Sequence, residues 1–349
     1  MFEAADLKKF FEYISNRKVL IIGDVMIDTY LWGKVDRVSP EAPVPIVSDI
    51  IEENRLGGAA NVALNIKSMG AVPILCSVIG GDERGAVFLD LLGEQNLSDV
   101  GITVDDYRIT TQKTRVISGF KHLLRIDEEI ENPLSRSIQN KFIEIVLNLM
   151  ETGRIDALIF QDYDKGVVTP SIISRVTTLA NRLNIPVMVD PKFRNFQKYK
   201  EVTVFKPNLK EFLKGVKLDA KKSDIDKLVT AGEAFRLQQK IGVLLVTLAN
   251  NGILVFEAGK HYHIPANNRR VTDVSGAGDT VISLAALSYA SGMNAEQMGA
   301  LSNLAGGQVC EKSGVVPVNR EQLRVECEQL LPENAGTGTT SAGAGAASE

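Results

Sequence analysis

The chain has 349 residues, a formal charge of −4, 44% hydrophobic and 23% charged residues, the balance of an ordinary globular protein. That charge argues against a nucleic-acid surface or a basic membrane patch, and no apolar run reaches the roughly 18 residues of a membrane span. The opening MFEAADLKKFFEYI lacks signal-peptide layout and the scattered Cys76, Cys310 and Cys327 form no CxxC pair, which points to a reducing cytoplasm.

In chain order, KVLIIG at 18–23 is a continuous apolar run ending in glycine, the pattern of a buried parallel strand. Asp24 and Asp28 follow it, where open α/β sheets bind ligands. A carboxylate there can accept two sugar hydroxyls or cap a turn. Residues 30–51 are rich in proline and β-branched side chains. Gly57 and Gly58 then lead through two alanines to Asn61 and a helix over 62–69. Small residues let a ligand lie against backbone, and Asn61 can donate and accept; a plain Gly-Gly turn is the simpler alternative. A strand over 73–79 precedes GGDERG at 80–85, read as packing. Residues 103–126 alternate in short strands, and with 30–51 they are assigned to a small β-sheet lid over the strand ends.

Further strands are expected at 157–160, 186–189, 202–205 and 242–247, and helices at 135–150 and 169–183. The alternation predicts a three-layer α/β/α fold, a mostly parallel sheet with helices on both faces. After the strand at 202–205 comes PNLKE, in which Asn208 and Glu211 fall on one face of a starting helix. Such a pair can hold phosphate oxygens and a magnesium ion's water shell, or simply cap the helix. His261 and His263 share one strand face, and His122 is the only other histidine. Nucleophile–histidine chemistry and a histidine zinc cage are therefore poorly supported. From 333 to 349 no apolar residue exceeds alanine, so a disordered tail over 332–349 is expected after one folded domain over 1–331.

DVSGAGDT at 273–280 precedes a helix expected over 281–290. Helix N-termini present unpaired N–H groups and the positive end of the dipole. Gly276 and Gly278 let backbone approach a phosphate, and Asp279 stands where a base must take a hydroxyl proton. Capping of an ordinary helix is the alternative. That position predicts a weak base, its charged form favoured by the dipole. No GxxxxGK[ST] or VAIK, HRD and DFG set exists, so phosphate binding rests on the glycine turn.

Together GGDERG, NLKE and DVSGAGDT resemble the ribokinase-like (PfkB) sugar kinases. GDVMIDTYLWGKVDRVSPEAPVPIV, GGAANVALNIKSMGA, LLRID, DYDKG and VDPK are similar to the branch acting on heptose 7-phosphate, and the likeness runs in order from about 18 to 331. It implies ATP-dependent phosphorylation of the sugar's anomeric hydroxyl, for ADP-heptose and lipopolysaccharide synthesis. It makes Asp279 the base and the Gly276, Ala277 and Gly278 backbone the anion hole. The NLKE residues Asn208, Leu209, Lys210 and Glu211 would serve ATP and Mg2+, with Thr247 and Gly252 lining the nucleotide pocket. Asp28, Gly57, Gly58 and Asn61 would hold the sugar. Arg37, Arg115, Lys165 and Lys192 are candidates for clamping its phosphate. Asp273 and Ser275 match a region binding a monovalent cation such as K+ in relatives, with Ser275 where this branch has Thr. The resemblance also implies a homodimer joined through lids, and the charge argues for no nucleic-acid or membrane partner. No HxGH motif occurs, so adenylyl transfer is expected of another protein. The competing expectations are a related kinase for fructose 6-phosphate or an unphosphorylated sugar, and an inactive sugar-binding regulator.

Overall fold

Apolar runs buried on both sides form the centre of a large sheet. The computed structural model describes residues 2–119 and 121–331. Its strands are β1 Lys18–Gly23, β2 Val25–Val38, β3 Pro45–Gly58, β4 Val72–Gly80, β5 Gly101–Asp105, β6 Gln112–Ser118, β7 Lys121–Glu128, β8 Ala157–Gln161, β9 Val187–Asp190, β10 Val204–Phe205, β11 Val243–Thr247, β12 Ile253–Glu257 and β13 Lys260–Ile264. Its helices are α1 Ala4–Tyr13, α2 Ala59–Ser68, α3 Glu83–Glu94, α4 Arg136–Thr152, α5 Pro170–Arg182, α6 Leu209–Val216, α7 Ile225–Gln239, α8 Ala277–Ala290, α9 Ala295–Val309 and α10 Arg320–Glu328.

The large sheet has the order β13-β12-β11-β10-β9-β8-β1-β4-β5. Pairing is parallel from β11 to β5 and antiparallel at β11–β12 and β12–β13. Alternation along β1 feeds two cores. Val19 and Ile21 pack with residues of α1, α2, α8 and α9, whereas Leu20 and Ile22 pack with residues of α4, α5, α6 and α7. Each such side chain contributes about 1.5–3 kcal/mol on burial, which explains why these strands are apolar throughout. Helix α8 is buried from Asp279 to Ser288, so its N-terminus is held rigidly by the core. No helix among the described residues is long and apolar enough to cross a membrane.

A second sheet, ordered β3-β2-β6-β7, stands apart from the first. The expected lid segments overlap it with different bounds. Strands β2 and β3 form one long hairpin reaching back to Val25 and Gly58, beyond 30–51. Thr103 to Asp105 belongs to β5, paired with β4 in the large sheet, and the small sheet resumes only at Gln112. Alternating burial on a one-sided edge strand looks the same in sequence as lid alternation. Two helices also start earlier than read, at Ala59 and Ala277, because alanine continues a helix toward its preceding glycine. The expected tail over 332–349 lies outside the described residues.

Asp24 alone separates β1 from β2, so the chain leaves the core for the small sheet at this residue. Its carboxylate is buried and accepts backbone N–H groups of Tyr163 (2.8 Å), Lys165 (3.1 Å) and Val167 (2.9 Å). It thereby pins the loop after β8 against the end of β1. Burial raises its pKa, and the three N–H groups oppose that shift. Asp24→Ala leaves three buried donors without an acceptor, at a cost of about 3 kcal/mol or more. The melting temperature is expected to fall by about 4 °C or more; an unchanged melting curve would show that the loop does not depend on this anchor.

Candidate active site

Gly276 caps α8 with φ +78°, a conformation suited to glycine. A Cβ there would come within 2.8 Å of Asn61 Nδ2. The turn therefore brings α8 against α2, where Asn61 and Asn65 sit one helical turn apart. Asn61 Nδ2 donates to Asp279 Oδ2 (2.7 Å), and Thr280 Oγ1 donates to Asn65 Oδ1 (3.1 Å). Two adjacent residues of α8 are thus matched to two residues of α2.

The other oxygen of Asp279 faces the strand ends. Its Oδ1 accepts from Gln161 Nε2 (3.0 Å) and from the Tyr163 hydroxyl (2.7 Å). The residue is 4% exposed, and burial pushes its carboxyl up to about 6, against the hydrogen bonds from Asn61 and Tyr163. The helix N-terminus was expected to make it a weak base. Desolvation wins instead, and the result is a carboxylate basic enough to take a proton near neutral pH.

The loop carrying Tyr163 is built from buried polar groups. Besides its anchor on Asp24, Asp162 Oδ2 accepts from Asn195 Nδ2 (3.0 Å) and the Tyr199 hydroxyl (2.9 Å). Burial first, and then the charge of Asp24, push the Asp162 carboxyl up to about 7. This scaffold fixes the Tyr163 ring beside Asp279.

On the other side, Asn208 caps α6 and forms a reciprocal capping box with Glu211, both bonds being 2.9 Å. The bland reading of NLKE is therefore met in full. Yet Glu211 Oε1 is also 2.5 Å from Lys192 Nζ, and that ammonium lies 5.2 Å from the Tyr163 ring centre. Capping and the ion pair with Lys192 coexist, since the capping bond uses Oε2. Burial lowers the Lys192 pKa, but Asp190, Glu211 and Asp279 together outweigh it and raise it. Lys192, read as a sugar-phosphate clamp, thus joins the Glu211 side. Thr247 bridges to Asn208 at the end of β11. Gly252 has φ +85°, and a Cβ there would strike the Ile264 carbonyl at 2.0 Å. Leu209 and Lys210 instead line an open groove of about 660 Å³ along α6 with Leu213 and Lys214, which includes neither Glu211 nor Asp279.

Asp28 is buried on β2 and paired with Arg115 of β6. Gly57 of β3, paired with Met26, lies diagonally across from Asp28, where a Cβ would be 2.2 Å from Asp28 Oδ2, and Gly58 takes φ +61°. Arg115 is the cation that joins this cluster, through Asp28, whereas Lys165 pairs with Glu129 and Glu131 instead. Arg37 is exposed far along β2 opposite Ile46, so the structure does not bring it to this cluster. Asp273 accepts from the N–H groups of Ser275 and Gly314, both at 2.9 Å. Burial pushes its pKa up, but these bonds more than offset that and keep it ionised. Gln161, Tyr163, Asp190 and Lys206 were not singled out from sequence as site residues. Their available signal was position: each ends or follows a buried strand at the carboxyl edge of the sheet.

A buried, raised carboxylate in the first turn of α8, at the strand ends of a mostly parallel sheet with a second sheet beside it, is an arrangement suited to phosphoryl transfer. The chain belongs to the pfkB family of carbohydrate kinases, whose sequence profile matches residues 16–322, and this family match makes it an ATP-dependent sugar kinase. A protein of Geotalea uraniireducens (strain Rf4) named bifunctional protein HldE is 34% identical over 333 residues, covering 95% of this chain and 67% of that protein. The chain spans about two thirds of the length of the curated relatives it matches. Phosphofructokinase-2 of Escherichia coli, solved in complex with potassium, superposes with a TM-score of 0.72 at 17% identity, covering 90% of this chain and 99% of that one. Arabidopsis thaliana ribokinase, complexed with ribose and ATP, gives 0.67 at 16% identity, covering 89% and 99%. These structures share the ribokinase-like fold.

Removing the Tyr163 hydroxyl deletes a hydrogen bond that favours the charged form of Asp279, so the Asp279 pKa should rise further. Tyr163→Phe is expected to move the acid limb of the kcat/KM profile to higher pH. A limb that stays in place or moves to lower pH would remove Tyr163 from the control of Asp279.

Proposed function

We propose that the chain transfers the γ-phosphoryl group of ATP to the anomeric C1 hydroxyl of D-glycero-β-D-manno-heptose 7-phosphate, forming the 1,7-bisphosphate used for ADP-heptose. The observation that carries this reading is the likeness to bifunctional protein HldE over 95% of the chain, joined to a site with both a base and a sugar-side cation. In this reading Asp279 takes the hydroxyl proton, and the Gly276-Ala277-Gly278 backbone receives the transferring phosphoryl group. Asp28, Asn61, Gly57 and Gly58 hold the sugar. Arg115, beside Asp28, is the preferred clamp for the sugar's own phosphate, since a planar guanidinium matches phosphate oxygens.

Among the described residues no three His, Cys, Asp or Glu side chains converge as a metal cage. Magnesium suits such a site, because it is held through one or two carboxylates together with substrate phosphates. Glu211 would hold it through water, with Asn208 and Lys192 beside the nucleotide phosphates, and the ion would neutralise charge between the phosphoryl groups. Asp273, kept ionised, and Ser275 would serve a monovalent cation such as K+. The second sheet closes over the sugar as a lid and excludes water. Its exposed Val38, Ile50, Ile51 and Leu124 support lid-to-lid pairing in a homodimer. The reading places the enzyme in the cytoplasm.

ADP release should be fastest with heptose 7-phosphate when compared with fructose 6-phosphate and ribose at equal concentration. A higher kcat/KM for either competitor would overturn the substrate. Asp279→Asn should lower kcat by roughly 10²–10⁴-fold while leaving nucleotide affinity in place. Retention of more than half of the wild-type kcat would remove Asp279 as the base.

A further inference from the structure

The residue before PNLKE is Lys206, which follows β10 at the carboxyl edge of the sheet. It is 2% exposed, and its ammonium lies 2.9 Å from Asp190 Oδ2 at the end of β9. An ammonium has three donors, and among the described residues Asp190 is its one ion-pair partner. The same two groups border the glycine turn. A Cβ built on Gly278 would lie 3.5 Å from Lys206 Nζ and 3.7 Å from Asp190 Oδ2. The space left by the missing side chain is thus floored by a buried positive charge. Asp190 Oδ2 also accepts from Gln161 Nε2 (3.2 Å), which donates as well to Asp279 Oδ1 (3.0 Å). Lys206, Asp190, Gln161 and Asp279 form one continuous polar chain around the start of α8.

A buried ion pair is weak as a source of stability, since apolar residues of similar volume often replace one without loss. Its position supplies a stronger reason. We propose that Lys206 is a further catalytic residue, whose ammonium hydrogen-bonds the phosphoryl group in transit beside Gly278, and that Asp190 holds the ammonium in place for it. The inference rests on the glycine turn being the phosphoryl seat. In the step, the sugar oxygen bonds to the γ-phosphorus, and the bond from phosphorus to the β–γ bridging oxygen breaks. That electron pair leaves with ADP, and the hydroxyl proton goes to Asp279. Lys206 keeps its protons and donates hydrogen bonds to a non-bridging oxygen, where charge is spread in the transition state.

The test compares Lys206→Met with the double variant Lys206→Met/Asp190→Asn, each followed by thermal melting, kcat and sugar KM, with Asp279→Asn as reference. The single variant leaves Asp190 unpaired and can lose stability for that reason alone. The double variant removes both charges and nearly conserves shape. Loss of one preorganised donor costs about 10²–10³-fold in kcat. The proposal expects a folded double variant with a loss of that size, little change in sugar KM, and weaker preference for AMP-PNP over AMP. Recovery of more than a tenth of wild-type kcat in the double variant would make Lys206 a mere counter-ion of Asp190. Failure of the double variant to fold would assign the pair to the core, and either result overturns the proposal. Should Asp279→Asn also stay active, the phosphoryl seat itself is wrong, and not only the role of Lys206.

Discussion

A carboxylate held out of water by hydrogen bonds from three separate parts of the chain governs this molecule. Asp279 receives Asn61 from α2, Gln161 from the end of β8 and Tyr163 from the following loop. Burial makes the charged form costly, and the three donors return only part of that cost. The balance leaves a group able to exchange a proton near neutral pH. Each donor depends on further structure: Asn61 on the α2–α8 contact that glycine at 276 permits, and Tyr163 on the loop pinned by Asp24. The chemistry of one residue therefore draws on the folding of the whole sheet.

Much of this fold was legible in the sequence because the central strands are buried on both faces. Runs such as KVLIIG and ALIF must be apolar throughout, and that pattern survives without any knowledge of neighbours. The one-sided strands were less legible. Residues 103–105 alternate as a lid strand would, and only pairing with β4 assigns them to the large sheet. The glycine turn and Asp279 stood out because their spacing before a helix is local. Gln161 and Tyr163 did not, since their partner lies more than a hundred residues away. The direction of the Asp279 shift was also misjudged, because a helix terminus is visible in sequence and burial is not.

The pfkB family membership places the reaction, and the local geometry explains how one fold can keep opposed charges together. Cations and carboxylates alternate around the site: Lys206 against Asp190, Lys192 against Glu211, and Arg115 against Asp28. In this arrangement each positive group is already held by a carboxylate partner, so none of them is a free side chain that has to be ordered. Glu211 shows the same economy, with one oxygen completing the capping box and the other facing Lys192.

The central claim is that burial makes Asp279 a base matched to neutral pH, and its own titration tests this most directly. Infrared difference spectra of the wild-type protein minus Asp279→Asn, recorded across pH, isolate the carboxyl band of this one residue. The expected midpoint lies near pH 6. A midpoint at or below the ordinary aspartate value of about 3.9 would mean that the hydrogen bonds outweigh burial, and the account of the base would fail.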